Sequence, residues 1–480
     1  MSQRLSLVNL PAEFAPVVDP RELTVGIVHL GLGAFHRAHQ AVFTEQAARV
    51  TGDARWGIAG VSQRSASVRD QLAPQDGLYS VLERGLGAPT IQVIGSIREV
   101  LTAPEDPEAV VARIADPAVA VVTLTVTEKG YRAAGGGGLD LTDPEILADL
   151  AGRPPRTVVG QLAAGLARRA ETGAAPLTVL SCDNLVANGP FLRRLMTDYA
   201  EASSLKGLPG QLGAARFPAS MVDRIVPATT AADREEAARL LGVRDEAVVV
   251  AEPFLQWVIE DDFAAARPAW EQAGAVLTND VAPWEQAKLR MLNATHSMLA
   301  YLGGLRGYET IAEAVRDDEL AGLARALMTS DVVPTLTPPA GLDLTEYGAS
   351  VLERFANPAL KHRTAQVAMD GSVKLPVRLL GTVRDRLAAG AEPRLASLAV
   401  AGWMVYVARG VDARGQALTL DDPQADKLKA ALDGVGSQPA AVVDALLGVE
   451  SVFGADLPES KVFRDLLVEH VTVLAAPLVR

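Results

Sequence analysis

Lys288, Asn293 and His296 stand close together in EQAKLRMLNATHSMLAYLGG, residues 285 to 304. At 100° per residue they fall within an arc of about 140° on one helix. Leu289, Leu292 and Leu299 share that arc, while Met291, Ala294, Met298 and Tyr301 cover the opposite face, so the helix is expected to be buried nearly all round. A buried ammonium, amide or imidazole costs free energy unless it is paired. One such residue is ordinarily a satisfied core group; three on one arc, one of them lysine, point to a site. Their chemistry suits proton transfer beside a carbonyl. Desolvation brings a lysine toward neutrality, where it exchanges a proton with an alcohol or ketone oxygen. Asn293 can donate to an oxygen that gains negative charge, and His296 can bond the substrate or the lysine's surroundings. Gly303 and Gly304 are expected to end the helix.

The elements that must position these groups begin with LTVGIVHLGLGAFHRAHQ, a strand, a glycine turn and a helix. Gly31 and Gly33 form G-x-G where backbone has to approach a pyrophosphate; the third fingerprint position is His36. His36 and His39 have no acidic or cysteine partner nearby, so no metal site is expected. RWGIAGVSQRS, residues 55 to 65, reads as the second strand. Its end carries no carboxylate, and Arg64 is either a 2′-phosphate partner or a solvated loop charge. LYSVLE (78–83) and IQVIGSI (91–97) read as strands, followed by a short helix around PEDPEAVVARIA. The strand in AVAVVTLTVTEKGY ends at Thr125, Glu128 and Lys129, where the nicotinamide end of a cofactor would lie. A helix and strand unit then leads to SCDN, and VVVAEPFLQWVIEDDF reads as one strand running into a loop. Helices are expected over Trp284–Leu302, Thr310–Met328 and Glu346–Phe355. The fold class is α/β: an N-terminal Rossmann-type dinucleotide-binding domain over 1–280 and a mostly α-helical C-terminal domain over 281–480. Lys361, His362, Arg363 and Lys374 in NPALKHRTAQVAMDGSVKLPVR have the usual reading of a solvated basic face.

The chain has 480 residues and a net charge of −13, which argues against nucleic acid or an anionic membrane as partner. Any anionic substrate must then meet a local cationic pocket. Cys182 is the only cysteine, which excludes an internal disulfide and a thiolate metal cage. No charged leader runs into an apolar segment at the start, and no apolar run is long enough to span a bilayer. These features predict a soluble cytoplasmic protein, either a monomer or a small homo-oligomer.

KLRMLNATHSMLAYLGGLRGYETIAEA resembles the polyol-specific long-chain dehydrogenases, the mannitol dehydrogenase family. GLGAFHRAHQA, TEKGY, SCDN, MVDRIVP and AGWMVYVARGVD extend the resemblance in the same order over nearly the whole chain. It implies metal-independent hydride transfer between NAD, with NADP possible, and an open-chain sugar ketone or secondary alcohol. It further implies Lys288 as general acid/base, Asn293 and Asn184 as oxyanion donors, and His296 as a substrate-orienting group. Asp223 falls at the substrate edge, and Gly31, Gly33, Ala34, Phe35 and Arg37 in the nucleotide turn. Glu285, one turn before the lysine, is either a gate for proton exit or a carboxylate favoured by the helix dipole.

Within the family, TEKGY and NPALKHRTAQVAMDGSVKLP look closer to fructuronate reductases than to mannitol 2-dehydrogenases. A D-fructuronate/D-mannonate substrate needs a cation for its carboxylate, for which His362, Arg363 and Lys129 are the candidates. Gln366 stands where the mannitol enzymes resemble each other in a sugar-contacting arginine. The rival substrates are mannitol with fructose, and tagaturonate. A nucleotide-binding sensor without catalysis is the reading from another class, because fold alone does not imply activity.

Overall fold

The computed structural model describes residues 3–475. Its contacts divide the chain into two compact units, Met1–Ala282 and Pro283–Arg480.

The first unit is built on a five-stranded sheet of β1 (Val25–Leu30), β2 (Gly57–Ser62), β5 (Ile97–Thr102), β6 (Val121–Leu124) and β7 (Thr178–Ser181). Its order is β5-β2-β1-β6-β7 and all its pairings are parallel, the doubly wound arrangement of a Rossmann-type domain. The strands are apolar because both faces are covered. Val28, Leu30, Val122, Leu124 and Val179 enter one core cluster, whereas Ile27, Val121 and Leu180 enter the other, as the two-residue period requires.

IQVIGSI divides at Gly95 and Ser96 between two strands. β4 (Thr90–Ile94) pairs antiparallel with β3 (Tyr79–Glu83), while β5 returns to the main sheet. The expected single strand in VVVAEPFLQWVIEDDF is also two. β9 (Val249–Ala251) joins β3, and β10 (Gln256–Glu260) pairs with β8 (Ser220–Asp223) and β11 (Val276–Thr278). In both cases a short apolar run serves two sheets, which periodicity alone does not separate.

The second unit is helical. Its lysine segment runs as an α-helix over Ala282–Ala287, a π-helical turn over Lys288–Asn293 and an α-helix over Ala294–Arg306. Every residue from Ala294 to Leu305 is buried. Gly303 and Gly304 do not end this helix; Gly307 does, at φ +84°. The two glycines instead permit close packing, since a Cβ at Gly303 would lie 2.7 Å from the Ala314 Cβ, and one at Gly304 would lie 3.3 Å from the Tyr406 ring. The expected helix over Thr310–Met328 breaks at Asp317, whose carboxylate caps the N–H groups of Glu319 and Leu320 and starts Asp318–Ala326. Arg394–Arg409 packs against both Ala294–Arg306 and Lys461–Ala475. No helix among the described residues is long and apolar enough to cross a membrane.

Candidate active site

In the first unit, β1 ends in a turn whose conformation only glycine accepts readily. Gly31 has φ +101°, and a Cβ there would come within 2.2 Å of the Thr125 carbonyl oxygen. Thr125 follows β6, so the turn closes at the switch point where the chain leaves β1 for opposite sides of the sheet. His29 fixes this junction from beneath. Its Nε2 lies 2.9 Å from the Thr125 hydroxyl, which donates to the Gly31 carbonyl at 3.0 Å, and its Nδ1 lies 2.8 Å from the Thr123 hydroxyl. Burial pulls the His29 pKa down to about 3, so the ring is neutral. His36 stacks on it with centroids 3.4 Å apart, which is how the domain accommodates a ring at the third fingerprint position.

Above this turn lies a cavity of about 670 Å³ lined by Gly31, Gly33, Ser62, Arg64, Thr125 and Lys129, among others. A Cβ at Gly33 would meet nothing closer than 3.7 Å, so the open side of that residue is free for a ligand's approach. A glycine cradle at the carboxyl ends of parallel strands fits a dinucleotide. Lys129, expected toward the substrate, lies in this cavity's wall. Glu128 is exposed at the start of the turn Glu128–Tyr131. Ala34 and Phe35 are half-buried in the first helical turn, with Phe35 stacked on His39. Arg37, expected in the nucleotide turn, is buried, donates to the carbonyls of Ala247 and Gly33, and lies over the Tyr79 ring. Its guanidinium holds the domain's interior together.

Asp183, which sequence reasoning passed over, organises the loops after β6 and β7. Its carboxylate accepts from the N–H groups of Val126 and Thr127, each at 3.0 Å, and from the Tyr131 hydroxyl at 2.7 Å. Thr127 is thereby held at φ +68°. Asn184 follows it and is exposed, while Asp223 is buried at the end of β8.

In the second unit, Lys288 is 6% exposed at the first position of the π turn. The Ala294 N–H bonds the Leu289 carbonyl, five residues back. This extra residue per turn draws Lys288 and Asn293 toward one face, closer than the roughly 140° of a regular helix. Glu285 is half-buried one turn earlier. His296 is buried, stacked on Phe355 at 4.6 Å and edge-on to His362 at 4.7 Å. Its pKa is held well below 6.5, first by burial and then by His362, Arg378, Lys374 and Arg354. Its Nε2 has no hydrogen-bond partner.

Lys374 is not on a solvated face. It is half-buried, donates to the carbonyls of Met369 (2.6 Å) and Val367 (3.3 Å), and has its pKa lowered to about 8 by burial and by Arg378. His362 is lowered too, by burial and then by Lys374, so near neutral pH it is a hydrogen-bonding group and not the cation the KHR run suggests. Arg363 is exposed at the N-cap of Thr364–Ala368. Arg378 was also missed. It donates to Ser297 Oγ at 3.0 Å and to the Asn293 carbonyl at 3.4 Å, and no periodic signal marks such a cation in a sequence.

Among the described residues, no group of three or more His, Cys, Asp or Glu side chains is arranged to hold a metal ion. Comparison with known proteins agrees with both units. The family model for the mannitol dehydrogenase Rossmann domain matches residues 25–272, and that for the mannitol dehydrogenase C-terminal domain matches residues 280–475. A D-mannonate oxidoreductase of Escherichia coli (strain K12) is 44% identical over 464 residues, covering 95% of this chain and 94% of that one. A mannitol 2-dehydrogenase of Pseudomonas fluorescens, solved as a ternary complex with NAD and D-mannitol, superimposes with a TM-score of 0.86. It is 36% identical, over 98% of this chain and 97% of that one. A substrate-free D-sorbitol dehydrogenase gives a TM-score of 0.88 at 34% identity, over 99% and 98% of the two chains. The chain therefore belongs to the mannitol dehydrogenase family of oxidoreductases.

Proposed function

We propose that this protein interconverts D-fructuronate and D-mannonate with NAD(H). The observation that carries the reading is the buried Lys288 on a π turn, about two helical turns before a neutral His296, with Lys374 and Arg378 close to that imidazole. Gly31, Gly33 and Thr125 would hold the dinucleotide, whose nicotinamide supplies or takes up the hydride.

In the reducing direction, the carbonyl oxygen gains negative charge and Lys288 Nζ delivers the proton that makes it a hydroxyl. The Asn293 amide donates to that oxygen, where a fixed donor stabilises charge as it develops. His296 Nε2, lacking a protein partner, bonds a substrate hydroxyl and sets its orientation. Near neutral pH Lys374 is mostly protonated. Two of its three N–H bonds meet backbone carbonyls, and the Asp370 carboxylate lies 3.9 Å away; the third N–H reaches a substrate carboxylate in competition with Asp370. Arg363 adds a guanidinium able to pair with both carboxylate oxygens. The E. coli relative named for D-mannonate is in keeping with this substrate.

The test is a substrate panel with purified protein and NADH, offering fructuronate, tagaturonate and fructose separately. Fructuronate should give the highest kcat/KM. If fructose exceeds both uronates, the carboxylate assignment is wrong and the mannitol/fructose pair takes its place.

A further inference from the structure

The chain leaves β6 through Thr125, Val126 and Thr127, which line the cavity above the β1 turn together with Lys129 and Gly130. Thr127 has φ +68° and ψ +161°, a combination that glycine takes readily and that any side chain strains. Val126 is confined as well. Its Cγ1 lies 3.0 Å from where a Cβ on Gly31 would stand, so the loop abuts the glycine turn itself.

The group that holds this loop sits beyond the neighbouring strand. Asp183, two residues past the end of β7, accepts from the Val126 N–H at one carboxylate oxygen and from the Thr127 N–H at the other, both at 3.0 Å. The buried Tyr131 hydroxyl donates to the first of these oxygens at 2.7 Å, so both ends of the segment 126–131 are tied to one carboxylate. Asp183 is anchored in turn. Its backbone carbonyl accepts from the Leu185 N–H at 2.8 Å and from Asn188 Nδ2 at 3.1 Å. The Asn188 amide also bonds the carbonyl and the N–H of Ser220 on β8. In the sheet, β6 lies across β1 from β2. The end of β2 serves the adenosine ribose in dinucleotide-binding domains, which leaves the β6 side to the nicotinamide half.

We propose that Asp183 is a positioning residue for the cofactor: it holds the segment 126–131 as the cavity wall on the nicotinamide side, against the strain at Thr127. The inference rests on the reading of this cavity as a dinucleotide site. It differs from a general role in stabilising the domain, which would affect every nucleotide fragment alike.

Calorimetric titration of the full-length protein with NADH and with 5′-AMP, which carries only the adenosine half, tests it without turnover. Asp183→Asn should weaken NADH by about tenfold, as loss of charge-assisted hydrogen bonds implies, and leave 5′-AMP unchanged. The strain supplies a second readout. Adding Thr127→Gly to Asp183→Asn should restore most of the NADH affinity, because glycine takes the loop's conformation unaided. Adding Thr127→Ala, which keeps the Cβ, should not. Equal weakening of NADH and 5′-AMP by Asp183→Asn, or no weakening of NADH, overturns the proposal. Failure of Thr127→Gly to rescue, or equal rescue by Ala, does the same. Should Asp183→Asn alone not fold, the double variant with glycine is expected to fold and bind NADH, and its failure also overturns the proposal. If the wild type binds neither ligand, the dinucleotide reading falls first and this inference with it.

Discussion

Lys288 is buried at 6% exposure on the π turn, and such a site suits a proton carrier better than a surface charge. Lys288→Ala should lower kcat by roughly 10²- to 10⁴-fold, the range for loss of a general acid/base. Nucleotide affinity should stay close to wild type; a variant that keeps wild-type kcat at neutral pH removes the lysine from the mechanism. Lys374 gives a pH signature. Its pKa is near 8 against an ordinary 10.5, so it loses its charge as pH rises through 8 in the free protein. kcat/KM reports free-enzyme groups, so its value for a hexuronate should fall above about pH 8 while that for fructose does not. Lys374→Arg should carry that limb beyond the measurable range; an unmoved limb assigns it to another group. The linked effect on stability has the opposite sense. The unfolded chain binds the extra proton between pH 8 and 10.5, so this lysine's cost to folding is present below 8 and relieved as pH rises through that window. Arg363→Ala should raise KM for fructuronate on the order of tenfold, as loss of a charged hydrogen bond implies, and scarcely change residual fructose reduction. Equal changes for both substrates would show that Arg363 does not read the carboxylate.

The lysine segment owes its geometry to a neighbouring element. The π turn Lys288–Asn293 packs against a second one, Pro376–Leu380. Pro376 lies inside a continuous helical run from Gly371 to Ala388, where its missing N–H and its ring disrupt the regular ladder, and a widened turn accommodates both. Arg378, carried on that second turn, donates to the Asn293 carbonyl and to Ser297, at the junction of the π turn with the following helix. Arg290, within the π turn, donates to the Thr335 hydroxyl and to Asp385, which lies on the same helical run as Arg378. Arg378→Met should cut kcat by on the order of tenfold, corresponding to the roughly 1.5–3 kcal/mol of a charged hydrogen bond. Lys at that position should recover part of the loss, because it restores a donor. If Met and Lys variants differ only in melting temperature and not in kcat, Arg378 is structural and does not position Asn293.

At the scale of the molecule, the two units carry different chemistry: a glycine cradle and cavity over Gly31–Lys129 in one, and a proton-transfer helix with a cationic surround in the other. Both work within a strongly acidic chain, so their positive charge is local, and each anion must be recognised by side chains gathered for it. Among the described residues no cluster of His, Cys, Asp or Glu is arranged to hold a metal; His29 and His36 stack on each other, and Cys182 is buried with its thiol pKa pushed up. Prolonged dialysis against a chelator should leave turnover unchanged. Activity lost to the chelator and restored by zinc would overturn the metal-independent mechanism.

The local chemistry was legible in the linear chain. The strand, G-x-G turn and helix at the start follow from adjacent residues, and the burial of Lys288 and His296 follows from the apolar residues spaced around them. Those features depend on a few neighbours, whose periods and backbone preferences are written in order. Other features needed the fold. The π turn is a change in hydrogen-bond register with no residue type that announces it, and Gly303 looks like a helix end until Ala314 is packed against it. The KHR run reads as a solvated basic face, and Lys361 and Arg363 are exposed, yet His362 between them packs edge-on against His296 and is left neutral by burial and by Lys374. Lys129 joins the nucleotide cavity because β6 ends beside β1, far from it in sequence. Charge state and direction are set by which distant groups share a low-dielectric space, and only tertiary packing decides that.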